Sequence, residues 1–121
     1  MDQIRVLIVD DEADISFFLS RNLKKNDYAT FMAGSLEEAE KLINSEFPNV
    51  ILLDNHLPDG FGMDYARQVK LQFPHIKIIM ITAHDSPQDR VTAIENGVDH
   101  FISKPFKIDE ILGIVKDLSS T

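Results

Sequence analysis

The chain has 121 residues, 44% of them hydrophobic, and sets 20 acidic against 12 basic residues for a formal charge of −8. That length suits one compact domain, 1–121, with a real core, and the acidic balance argues against direct nucleic-acid binding, which needs clustered Lys and Arg. With no cysteine there is no disulfide, thiolate metal site or Cys nucleophile, and with no apolar run of bilayer length a cytoplasmic protein without a membrane partner is expected.

Ile4 to Val9 is a near-continuous Ile/Val/Leu run of strand length, followed at once by Asp10 and Asp11. Ile15, Phe18, Leu19 and Leu23 then recur with the helical period. Tyr28 to Met32 is mixed enough for an edge strand, and Ser35 with Glu38 forms a capping-box pair that opens a helix carrying Leu36, Ala39 and Ile43. Val50 to Leu53 is a fully apolar strand that runs directly into Asp54; Ala66, Val69 and Phe73 mark the helix after it. Ile76 to Ile81 is the fourth strand, ending at Thr82. Ser86-Pro87 provides an N-cap and a first-turn proline for a helix carrying Val91 and Ile94, which Asn96-Gly97 stops. Phe101 to Ile102, framed by "NGVD" and "SKP", is a short fifth strand, and Ile108, Ile111, Leu112, Val115 and Leu118 give the last helix its apolar stripe. Strand and helix alternate five times. Right-handed crossovers then make a (βα)5 α/β fold, a doubly wound five-stranded parallel sheet with helices on both faces.

Ligands of such sheets bind beyond the carboxyl ends of the strands. The polar residues there are Asp10 and Asp11, Asp54, Thr82 and, two residues past the last strand, Lys104. Three crowded carboxylates repel unless a cation sits among them, and Mg²⁺ (or Mn²⁺) prefers this kind of oxygen donor set. Lys104 and Thr82 suit a phosphate, as charge partner and hydroxyl donor. Held ionised, Asp54 can attack phosphorus and form an acyl phosphate.

Taken in order, "IVDDE", "VILLDNHLPDGFG", "IIMITA" and "FISKPF" resemble the receiver domain of bacterial two-component response regulators over essentially the whole chain. The resemblance implies a flavodoxin-like sheet of order 2-1-3-4-5, Asp54 as phosphoacceptor, Asp11 and Asp54 as direct metal ligands, and Asp10 acting mainly through water. It implies further that the backbone carbonyl of His56 ligates the metal, that Lys104 contacts the phosphoryl group, and that Thr82 and Phe101 switch, the ring rotating inward as Thr82 moves. A cis peptide at Lys104-Pro105 belongs to the same pattern. His56 and His84, two residues after Asp54 and Thr82, occupy positions that tune dephosphorylation; small Ala83 between Thr82 and His84 leaves the phosphoryl group room. The implied partners are a sensor histidine kinase or phosphotransfer protein, and an output domain or protein reached through the face of the fourth helix, fifth strand and fifth helix. A phosphorylation-dependent dimer is compatible with that face, although Gly113-Ile114 stands where many dimerising members carry Ala-Arg.

The same residues admit other readings. Glu12 and Asp14 read as complements to a helix dipole, and His75 and His100 as surface residues. A haloacid dehalogenase-type phosphatase also uses an aspartate nucleophile and Mg²⁺, but wants a second acid two residues on, where this chain has His56. A dinucleotide module lacks its glycine fingerprint after the first strand. A receiver-like adaptor that never takes phosphate would not require the full residue set. Apart from its own phosphorylation and dephosphorylation, no enzymatic turnover is expected.

Overall fold

The computed structural model describes residues 3–120. Its elements alternate as β1 (Arg5–Val9), α1 (Ala13–Lys25), β2 (Ala29–Ala33), α2 (Leu36–Glu46), β3 (Val50–Leu53), β4 (His56–Leu57), β5 (Gly60–Phe61), α3 (Gly62–Gln72), β6 (Lys77–Thr82), α4 (Pro87–Glu95), β7 (His100–Ser103) and α5 (Ile108–Ser119). Five strands form one parallel sheet in the order β2-β1-β3-β6-β7. With the small β4–β5 hairpin set apart, this is the expected 2-1-3-4-5 order of the flavodoxin-like fold. The hairpin itself escaped the sequence reading, because strands of two residues carry no periodicity.

Alternate residues of the central strands serve opposite faces, which is why these runs are apolar throughout. Leu7, Val9, Ile51, Leu53, Ile78 and Met80 pack with residues of α2 and α3 in one core. Val6, Ile8, Val50, Leu52, Ile79 and Ile81 pack with Leu19 and Leu23 of α1 and Ile111 and Val115 of α5 in the other.

Two helical stripes differ from the periodic reading. In α1 the buried positions are Ser16, Leu19, Ser20 and Leu23, and Phe18 is left largely exposed beside Phe17. Ser20 is accommodated by sharing a hydrogen bond with Thr30 of β2 at 2.7 Å. In α4 the buried residue is Ala93, and Val91 and Ile94 face solvent. The cause is steric: the methyl group of Ala93 lets this nine-residue helix approach the sheet, and the bulkier pair is turned outward.

Helix ends are fixed by their caps. Ser35 Oγ accepts from Glu38 N at 3.2 Å, while the Glu38 carboxylate accepts from Gly34 N at 2.9 Å, one residue before the expected partner. Asp59, just before β5, reaches across to accept from Leu36 N at 2.8 Å and Glu37 N at 3.0 Å. Those two backbone donors hold its carboxyl below the usual carboxylate range. Ser86 caps α4 through Asp89 N at 3.1 Å with Pro87 in the first turn, and Gly97 adopts the left-handed φ of +91° after Asn96.

Candidate functional site

The parallel register sets the strand ends level. Val9 pairs with Leu53, Leu53 with Met80, and Met80 with Phe101, so Asp10 and Asp54 leave neighbouring strands side by side, and Thr82 lies opposite Ser103. Backbone bonds secure the exits: Asp10 N donates to Ala33 O at 3.0 Å, Asp54 N to Val9 O at 2.9 Å, and Lys104 N to Thr82 O at 2.9 Å. Beyond Asp54, buried Asn55 anchors the start of α3, its carbonyl accepting from Gly62 N at 2.8 Å and its side chain from Met63 N at 2.9 Å. Gly62 is required by space. A Cβ there would lie 2.3 Å from the Asp54 carbonyl oxygen.

These ends enclose a cleft of about 340 Å³ lined by Asp11, Glu12, Asp54, His56, Thr82, Ala83, His84 and Lys104. Asp10 lies behind it, buried, with one carboxylate oxygen accepting from Glu12 N at 2.8 Å. The Lys104 ammonium stands among three carboxylates, 3.0 Å from Asp10, 3.1 Å from Glu12 and 3.6 Å from Asp54. The Lys104–Pro105 peptide bond is cis. Carboxylate oxygens of Asp10, Glu12 and Asp54 lie within 4.8 Å of one another, a hard oxygen donor set that fits a divalent ion such as Mg²⁺.

Electrostatics follow from this packing. Burial pushes the Asp54 carboxyl up, a rise opposed by the Lys104 ammonium, reinforced by Asp10, and opposed again by the N–H groups of Asn55 and His56. For Lys104, burial alone would lower the ammonium's pKa, but the bond to Asp10 and the charges of Asp10 and Asp54, with Glu12, outweigh it and raise it. One ammonium against three carboxylates leaves the cluster negative, which favours a further cation and disfavours an unaccompanied phosphate.

The sequence-derived residues are thus gathered at one edge, with two differences. Asp11 is exposed and lines the cleft, but the close carboxylate group contains Glu12 in its place. Glu12, read as a helix-dipole complement, makes no side-chain cap although it is the N-cap of α1. Its extended backbone sends the carboxylate across the strand ends to Lys104, a contact spanning 92 positions that no local signal announces. Asp14 does sit in the first turn of α1.

The imidazoles of His56 and His84 meet over the cleft with centroids 4.1 Å apart, and Phe61 presents an edge to His56 at 5.4 Å. Thr82, 1% exposed, accepts a hydrogen bond on its hydroxyl from His84 N at 3.2 Å. Phe101 is 9% exposed and belongs to the core on the α2–α3 side of the sheet. His75 and His100 are exposed, and Ile114 is half-buried against the other core. Among the described residues no helix is long and apolar enough to cross a membrane.

The sequence profile of the response regulator receiver domain family matches residues 6–116. Among solved structures, the chain is similar to a CheY-like response regulator receiver domain protein from Methanospirillum hungatei JF-1, with 29% identity over 98% of this chain and 95% of that one and a TM-score of 0.94. A beryllofluoride-activated NtrC4 receiver domain dimer is 39% identical over 96% of each chain, with a TM-score of 0.91. The receiver domain of NtrX from Brucella abortus is 30% identical over 96% of this chain and 98% of its own, with a TM-score of 0.89.

Proposed function

The chain belongs to the response regulator receiver domain family, and from that premise we propose that Asp54 accepts a phosphoryl group in a Mg²⁺-dependent reaction. The donor is the phosphohistidine of a sensor histidine kinase or phosphotransfer protein, or a small acyl phosphate such as acetyl phosphate. A carboxylate oxygen of Asp54 bonds to phosphorus as the bond from phosphorus to the donor nitrogen or oxygen breaks, and the leaving group keeps that electron pair. Asp10, Asp11 and Asp54, with the His56 carbonyl, are the residues that would hold Mg²⁺ (or Mn²⁺), and Glu12 joins them on the geometry of the cluster. When bound, the ion neutralises charge on the transferring group.

The chain's own groups do the rest. Strand β3 and Asn55 hold Asp54 rigidly, Lys104 supplies the charge partner for the phosphoryl oxygens, and the Thr82 hydroxyl is one strand away as a donor. The single observation that supports this reading most is Lys104 Nζ at 3.6 Å from Asp54 within a cleft that also admits Thr82. A kinase that delivers its phosphohistidine must cover the rim, where exposed Phe17 of α1 and Met32 of β2 flank an apolar recess next to Asp10 and Asp11.

Phosphorylation then biases a two-state equilibrium through Thr82 and Phe101 toward the face of α4, β7 and α5, where an output domain, a protein partner or a second receiver is engaged. Val91 and Ile94, exposed on α4, give that face apolar contact area. His56 and His84 screen the aspartyl phosphate from water and set its lifetime. The protein catalyses only its own modification and acts in the cytoplasm. In the test, Asp54→Asn takes up neither acid-labile phosphate from acetyl phosphate nor beryllofluoride, and stoichiometric labelling of that variant would falsify the assignment.

A further inference from the structure

The loop between β6 and α4 is tied down by contacts that the phosphoryl chemistry does not use. Ser103, the last residue of β7, donates its hydroxyl hydrogen to the Asp85 carboxylate and accepts from an Arg90 Nη at 2.9 Å. The same Arg90 nitrogen lies 3.8 Å from Asp85. Held in this way, the guanidinium lies over the ring of Phe101, 4.8 Å from its centroid. Beneath it Phe101 is only 9% exposed, although β7 is an edge strand.

The side chains of Arg90 and Asp85 are about half exposed, at 46% and 47%, so their ion pair adds little stability. A planar guanidinium can, however, stack on an aromatic face while its in-plane N–H groups engage an acceptor. The arrangement therefore fixes position: α4, the β6–α4 loop and β7 are held in one stack. His84, immediately before Asp85, is on the fixed loop and reaches the cleft.

We propose that Arg90, braced by Asp85 and Ser103, is a positioning residue that holds Phe101 buried and so sets the equilibrium coupling the Asp54 site to the α4–β7 face. The inference rests on the reading of Asp54 and Phe101 given above. A tyrosine could be fixed by its hydroxyl; phenylalanine offers only its face, and the guanidinium supplies the missing handle. The sign follows from linkage. A contact made with the ring buried strengthens any ligand that selects the buried-ring state, and the phosphoryl analogue strengthens the contact in return.

The experiment titrates beryllofluoride with Mg²⁺ into the full chain while following the Phe101 ring and Arg90 Nε–Hε signals by NMR. Wild-type Arg90 side-chain protons are expected upfield, shifted by the ring beneath them. Arg90→Ala is expected to weaken apparent beryllofluoride affinity about threefold, the size of a partly exposed cation–π contact. Arg90→Lys restores part of the loss, and Ser103→Ala, which removes only the brace, diminishes the upfield shift. Wild-type affinity and unchanged Phe101 signals in Arg90→Ala overturn the proposal while leaving Asp54 as the acceptor. If the wild type itself takes up no beryllofluoride, the Asp54 reading fails and the coupling role of Arg90 is overturned with it.

Discussion

Replacing Gly62 with alanine tests how tightly the start of α3 fixes Asp54, the proposed phosphoacceptor. The added Cβ would stand 2.3 Å from the carbonyl oxygen of Asp54 and 3.0 Å from Leu53 Cγ. Ordinary contact needs about 3.4 Å, so the Asp54 backbone or the helix start must retreat by roughly 1 Å. The obstructing atom is backbone, and Asn55 bonds both Gly62 N and Met63 N, so neither side yields cheaply. Overpacking of this kind costs about 1–3 kcal/mol, and we expect the upper end, with Tm lowered by on the order of 10 °C. A displacement of about 1 Å at a reacting group slows chemistry by roughly a hundredfold, so labelling of the folded variant by acetyl phosphate should fall by that order. Gly113→Ala is the control. Nothing lies within 4 Å of the Cβ it would add in α5, and relief of glycine's backbone entropy should stabilise the fold by about 0.5–1 kcal/mol with labelling unchanged. Urea unfolding and labelling rates of both variants decide the matter. A Gly62→Ala protein within about 1 kcal/mol of wild type and labelled at its rate refutes the reasoning.

Two further outcomes are expected. Opening the cover over the cleft with His56→Ala or His84→Ala should shorten the half-life of the phosphorylated chain several-fold, and equal lifetimes in both variants and wild type would remove any role for the rings. Tyr65 is pushed up to about 12 by burial and by the Glu40 carboxylate, so between pH 10 and 12 the unfolded chain loses this proton before the folded one. Stability should therefore fall with rising pH across that window and level off above it. In Tyr65→Phe this part of the slope is absent, and a difference titration of tyrosinate absorbance locates the group directly.

Much of the fold was legible because its central strands are covered on both faces: Val50–Leu53 and Lys77–Thr82 are almost wholly apolar and end on polar residues, so their exits could be placed. Asp10, Asp54, Thr82 and Lys104 were found in this way. Glu12 was not, because its role depends on Lys104 from the other end of the chain. The buried stripe of α4 was misread because Val91 and Ile94 have helical spacing on a face that turns outward, whereas Ala93 carries too small a side chain to signal burial. Asp59 capping α2 and Arg90 stacking on Phe101 are likewise contacts between elements, and only the assembled sheet brings them together.

The bond between Lys104 and Asp10 joins residues 94 positions apart, and Lys104 follows β7, the outermost strand on its side of the sheet. A nascent chain on the ribosome can therefore pair β1, β2 and β3 and display Asp10 and Asp54 well before their lysine has been synthesised. Until β7, the last of the five strands, docks, that acidic pair has no Lys104 ammonium beside it. If Asp54 takes the phosphoryl group as proposed, the site that receives it is completed late in biosynthesis, and a stalled or clipped chain without β7 would lack Lys104 even where its first half had folded.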